Sequence, residues 1–166
     1  MKRIISVCGS DGSDEDLSSY ALQTAEQIGI LIAQHDAVVV CGGRGGIMEA
    51  TCKGAKKNNG VTVGLLPASK QEANAYIDIA LPTNLGSMRN FLVVNVADVV
   101  IAIAGRWGTR NEISFAKILH KPLILIQGTG GCVDSLVQNN MVTNSPPCHI
   151  VNSGKEAMSK ALEYLK

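Results

Sequence analysis

Seven short apolar runs, rich in Val and Ile, recur along this chain, and most are followed by a longer stretch with helical spacing. The runs lie near residues 3–8, 37–41, 61–66, 77–81, 98–104, 122–127 and 148–151. Most are apolar throughout instead of alternating, the pattern of strands covered on both faces in a parallel sheet. Helical patterns fall near residues 14–34, 45–58, 87–97, 109–120 and 133–140, with a last one from about Gly154. Parallel neighbours require right-handed crossovers. The alternation therefore predicts an α/β fold, a doubly wound Rossmann-like domain with about seven mostly parallel strands. The length of 166 residues suffices for a two-sided core, and residues 1–166 read as one domain.

Composition narrows the chemistry. The chain is 46% hydrophobic but has only 2 Phe, 1 Trp and 3 Tyr, so Val, Ile, Leu and Ala must fill the core. Fifteen basic against fourteen acidic residues give a net charge of +1. Polymeric nucleic acid is therefore not an expected partner, because phosphate neutralisation demands a basic excess. Cys8, Cys41, Cys52, Cys132 and Cys148 form no CxxC pair and no His–Cys cluster, so no metal site is expected. Scattered free thiols suit a reducing compartment. The apolar stretch at the N-terminus is too short for a signal peptide, and Asn95 and Asp98 interrupt the longest apolar region, so no membrane span is expected. The expected location is cytoplasmic.

In a doubly wound sheet, ligands bind beyond the carboxyl ends of the strands. Four of those ends carry glycine: Gly9-Ser10-Asp11-Gly12-Ser13, Gly42-Gly43-Arg44-Gly45-Gly46, Gly105-Arg106-Trp107-Gly108-Thr109 and Gly128-Thr129-Gly130-Gly131. Glycine lets the backbone turn tightly against a ligand, and the N–H groups and dipole of the helix that follows favour phosphate. No glycine is followed by Lys-Ser or Lys-Thr, which excludes a Walker loop. The first turn lacks GxGxxG and the second strand ends in Val40-Cys41-Gly42 without an acid, which disfavours a dinucleotide site. A compact, mononucleotide-sized phosphorylated ligand fits better.

These residues resemble the LOG-like proteins, often mislabelled lysine decarboxylases, whose best-studied members are cytokinin-nucleotide phosphoribohydrolases. Val7-Cys8-Gly9-Ser10 resembles the family's opening strand and turn, and Cys41-Gly42-Gly43-Arg44-Gly45-Gly46-Ile47-Met48 resembles its GGGxxGLM turn. Gly105-Arg106-Trp107-Gly108-Thr109-Arg110-Asn111-Glu112 resembles its PGGxGTxxE signature, and Ser87-Met88-Arg89 falls where the family places an Arg. Ala104 stands in place of the signature's Pro, Arg106 of its second Gly, Asn90 of a Lys and Glu49 of a Gly. Those departures resemble a smaller branch that includes the molybdenum-cofactor carrier proteins.

The resemblance implies catalytic roles for Arg89 and Glu112 if nucleotides are hydrolysed. It implies ligand or phosphate contacts at Gly9, Ser10, Gly42, Gly43, Gly45, Gly46, Met88, Gly105, Gly108 and Thr109, and Arg44 and Arg106, placed within the glycine turns, are in position to reach the same phosphate. It implies no required cofactor, a bound molybdenum cofactor or nucleoside monophosphate as ligand, and a homodimer or higher homo-oligomer. Nothing around any Lys suggests a pyridoxal phosphate site. Plainer readings remain beside these. Thr109-Arg110-Asn111-Glu112 has capping-box spacing, as do Ser153-Gly154-Lys155-Glu156 and, with a shorter acid, Ser13-Asp14-Glu15-Asp16. Arg89 could be an exposed first-turn residue, and Arg44 and Arg106 solvated charges. The apolar helix over residues 91–96 is either internal or covered by a second subunit.

Overall fold

The computed structural model describes residues 1–145 and 147–166. Seven strands form one sheet: β1 (Ile4–Gly9), β2 (Val38–Cys41), β3 (Thr62–Leu66), β4 (Ile79–Pro82), β5 (Val99–Ile103), β6 (Leu123–Ile126) and β7 (Cys148–Val151). Every neighbouring pair is parallel, in the order β4-β3-β2-β1-β5-β6-β7. The chain starts in the middle at β1 and winds outward to β4. It then crosses back to β5, beside β1, and winds out the other way. The strand order thus reverses between β1 and β5, where the carboxyl ends of two adjacent strands feed connections to opposite faces and a crevice opens.

Helices α1 (Ser19–Gln34), α2 (Ile47–Lys56) and α6 (Gly154–Tyr164) cover one face, and α3 (Asn90–Asn95), α4 (Trp107–Ile118) and α5 (Gly131–Gln138) the other. The central strand β5 shows why its sequence is continuously apolar. Val99, Ile101 and Ile103 pack into the core on the α1 face, whereas Val100 and Ala102 pack into the core on the α4 face. Each residue of a strand buried on both sides must be apolar, since successive side chains point opposite ways. Pro82 ends β4 at the sheet edge, where its missing N–H costs no ladder bond.

Most boundaries fall within two residues of the sequence expectation, and two elements depart from it further. The first helix begins at Ser19 and not near residue 14. Ser13 is spent on Asp11, to whose carboxylate it donates its N–H at 3.0 Å and its hydroxyl at 2.5 Å, so the 13–16 pattern is no capping box. Ser18 is the cap instead, its Oγ accepting from the Ala21 N–H at 3.1 Å. The helix expected over 87–97 is split into a 3₁₀ turn, Gly86–Arg89, and the six-residue α3. At the last helix the cap is present in a shifted form: Ser153 Oγ accepts from the Glu156 N–H, and the Glu156 carboxylate accepts from the N–H of Asn152, one residue before the cap. No helix among the described residues is long and apolar enough to cross a membrane.

Candidate functional site

Backbone contacts bring three of the four glycine turns together at the reversal point. The Ile47 N–H, opening α2, donates to the Ser10 carbonyl at 2.9 Å, tying the second turn to the first. The Gly105 N–H donates to Ser10 Oγ at 2.9 Å, tying the third turn to the first. Ser10, 3% exposed, is thus the keystone of the cluster. Gly46 shows why glycine is required at this junction. Its φ is +66°, and a Cβ there would lie 2.4 Å from the Ser10 carbonyl oxygen.

The fourth turn has a different task. The Asp134 carboxylate accepts the N–H groups of Gly128 and Gly130 at 2.7 and 2.9 Å. The first N–H groups of α5 donate to the carbonyls of Gly105 and Ala104. Thr129 Oγ1 accepts the Ala104 N–H at 2.9 Å and donates to the Ile126 carbonyl. With two of its N–H groups taken by Asp134, this turn buttresses the third one. The same contacts account for Ala104 in the signature. Its φ is +51° and its N–H is bonded, and proline permits neither.

Between the first and third turns lies a cavity of about 440 Å³. Arg44, Arg89 and Arg106 line it, opposed by Asp11 and Glu112, with Gly9, Ser10, Met48, Gly108 and Thr109 forming much of the rest. Neither α2 nor α4 is capped by a side chain at its start, so first-turn N–H groups of both face this end of the sheet. Asp11 forms an ion pair with Arg44 at 3.4 Å. Its carboxyl is held below the usual range, chiefly by the Ser13 hydroxyl and with help from Arg44 and Arg106.

Arg89 and Glu112 form the cavity floor. Arg89 is 8% exposed and Glu112 6%, and Arg89 Nη1 stands 3.7 Å from Glu112 Oε1. Both plainer readings fail here. Arg89 is not a solvated first-turn residue: its guanidinium lies against Gly42, where a Cβ would stand 2.6 Å from Nη1. Glu112 does not cap, because α4 starts at Trp107 and Glu112 is buried well inside it, while Thr109 packs its side chain against Gly105. Burial pushes the Glu112 carboxyl up to about 7, although Arg89 and the Cys8 thiol pull it down. The same burial, with Glu112 close by, pushes the Cys8 thiol well above its ordinary value. Arg89 Nη1 also donates to Asn90 Oδ1 at 3.0 Å, and Arg89 Nε is buried without a partner among the described residues.

Other candidates stand behind the cavity wall. Gly42 makes room for Arg89, and Gly43 donates its N–H to Cys41 Sγ and receives Asn74 on its carbonyl. Gly45 and Gly46 abut Gly12 and Ser10, and Gly105 lies beneath Thr109. They shape the turns without lining the cavity. Met88 points elsewhere, 75% exposed on an adjoining apolar groove. Asp11, Asn90 and Trp107 also line the cavity, although no sequence motif assigned any of them a ligand role. Signals for them were present: Asp11 and Trp107, the chain's only tryptophan, sit inside glycine turns, and Asn90 stands where the LOG-like pattern has a Lys.

A model of the SLOG cluster4 family matches residues 2–158. The chain belongs to that family. Within this SLOG setting it is similar to the molybdenum cofactor binding protein of the phototrophic bacterium Rippkaea orientalis, at 32% identity and a TM-score of 0.88, covering 100% of this chain and 99% of that one. It is also similar to the molybdenum cofactor carrier protein of Chlamydomonas reinhardtii, at 29% identity and a TM-score of 0.84, covering 99% of each. An uncharacterised protein of Archaeoglobus fulgidus is 38% identical over 112 residues, 68% of this chain and 72% of that relative.

Proposed function

We propose that this SLOG-family chain binds a phosphorylated pterin or nucleotide-like small molecule without consuming it, as a molybdenum cofactor carrier would. The observation that carries this is the buried Arg89, whose Nε has no partner among the described residues while the residue lines a cavity shared with Arg44 and Arg106. A buried donor without an acceptor is costly, and a phosphate at the guanidinium would satisfy it through the forked geometry once the side chain turns Nε toward the cavity. Arg44, Arg106 and the first turns of α2 and α4 supply further positive potential at the same place. The two cofactor-binding relatives span the whole chain and support a pterin as cargo.

Thermal-shift titration with nucleoside monophosphates and with molybdenum cofactor tests this. A ligand present at about 100 times its Kd is expected to add roughly 2.7 kcal/mol to stability, and mass spectrometry should recover it unchanged. No shift with any of these compounds defeats the proposal.

A second reading, phosphoribohydrolysis of nucleoside 5′-monophosphates, is favoured by one observation: Glu112, raised to about 7, titrates where a general acid or base works best. Its carboxylate would activate water against the N-glycosidic bond, giving free base and ribose 5-phosphate. If so, incubation with AMP or prenylated AMP releases base, and Glu112→Ala stops it. Intact nucleotide after prolonged incubation leaves binding alone.

The chain is further proposed to form a homo-oligomer. Val93 and Val94 of α3 are fully buried, but Leu85, Met88, Phe91 and Val96 on the same segment remain exposed. A second copy over Leu85 and Val96 would remove apolar surface from water and border, without filling, the groove that Met88 and Phe91 line. Light scattering at micromolar concentration should give at least the dimer mass; a monomer refutes it.

A further inference from the structure

The arginine-lined cavity adjoins on one side a second cavity of about 660 Å³, between the 3₁₀–α3 segment and α4. Ser87, Asn90, Trp107 and Gly108 line both, so the two adjoin along that edge. Their chemistry differs. The first holds three arginines and the starts of two helices, whereas the second is walled by Met88, Phe91, Trp107 and Phe115.

Trp107 stands at the junction and is 79% exposed, an unusual placement for so large an apolar ring. It is the first residue of α4, so its backbone belongs to the helix start that faces the anion-binding half. The Arg110 guanidinium lies 5.6 Å from its ring centroid. Across the second cavity Phe91 and Phe115 meet edge to face, 5.4 Å apart at 82°, giving that wall a fixed shape. At the junction Asn90 Nδ2 donates to Asn111 Oδ1 at 3.2 Å. This amide pair sets hydrogen-bonding groups beside an otherwise apolar slot.

Resting on the phosphorylated-ligand reading above, we infer that the cleft is bipartite: the phosphate lies on Arg89 and the glycine turns, and a planar heteroaromatic ring lies in the apolar half, stacked on Trp107. Asn90 and Asn111 meet the polar edge of that ring. The ligand class is a purine or pterin carried a short distance from a phosphate monoester. Stacking tolerates either ring because both present a π-face, so Trp107 sets preference for planar ligands over bare phosphorylated sugars.

Trp107 is the chain's one tryptophan, so intrinsic fluorescence reports this position alone. AMP and a pterin monophosphate should each quench and shift its emission, while ribose 5-phosphate should raise the melting temperature without changing the spectrum. By calorimetry, Trp107→Ala should weaken AMP and the pterin roughly tenfold or more and leave ribose 5-phosphate unaffected; Trp107→Phe should restore most of the loss. The bipartite cleft is overturned if the ring-bearing compounds and ribose 5-phosphate bind alike to the parent and Trp107→Ala. In that case the phosphate half stands and the ring lies elsewhere. It is also overturned if Trp107→Ala changes the oligomeric mass and no ligand affinity, since the groove then belongs to a second copy. If none of the three compounds raises the melting temperature, the phosphorylated-ligand reading fails together with it.

Discussion

Gly29→Ala is expected to destabilise the protein by about 3 kcal/mol and to lower its melting midpoint by roughly 6–12 °C. Judged by helix propensity alone, the change should help, because alanine gains about 1 kcal/mol over glycine inside a helix. The packing reverses the sign. Helices α1 and α2 lie backbone to backbone, and a Cβ on Gly29 would stand 1.9 Å from the Thr51 carbonyl oxygen. The contact is reciprocal, since a Cβ on Gly54 would stand 2.0 Å from the Glu26 carbonyl oxygen. Neither obstacle is a side chain that can rotate away, so the helices must separate and the core between them must open. The consequence reaches the candidate site, because α2 carries Gly46 and the bond from Ile47 to Ser10 at its start. Chemical denaturation and thermal melts check the prediction. A variant as stable as the parent would mean the two helices are not in backbone contact.

The second large effect concerns pH. Glu112 titrates near 7 in the folded chain, against an ordinary value of 4.5. Between those values the folded chain holds a proton that the unfolded chain has lost, so stability falls as pH rises. No cost exists well below 4.5, and the full cost is in place above 7. At 1.36 kcal/mol per unit it amounts to about 3 kcal/mol. Glu112→Gln cannot ionise. Its unfolding free energy relative to the parent should therefore rise by about 3 kcal/mol between pH 4.5 and about pH 8, whatever the offset from losing the Arg89 partner. A constant difference across that range would show that the buried carboxyl ionises freely. Ligand binding should couple to the same group, because a phosphate on Arg89 competes with Glu112 for the guanidinium. The complex should then take up protons above neutral pH.

Much of the architecture was legible before any tertiary contact. All seven apolar runs became strands, and the absence of alternation in 99–103 matched a strand covered on both faces. Local chemistry misled at the element starts. The spacing of Thr109 and Glu112 looked like a cap, but the helix begins two residues before Thr109, and Glu112 turns inward to Arg89. The expectation at Ser13 failed for a similar reason, since Asp11 had already claimed its hydroxyl. Spacing describes what a side chain could reach along its own helix. It carries no record of a partner brought in from another element.

The glycine turns divide along the same line. By itself the sequence determined that four strand ends carry glycine and that the sheet is parallel, because both follow from residue type and local periodicity. Only the tertiary structure decided their tasks. The reversal between β1 and β5 gathered three turns around Ser10, left the fourth as a buttress satisfied by Asp134, and set Trp107 between a charged cavity and an apolar one. Those outcomes depend on which donors and acceptors meet across long chain separations. Such meetings are fixed by how the helices pack on the sheet, not by any short stretch of residues.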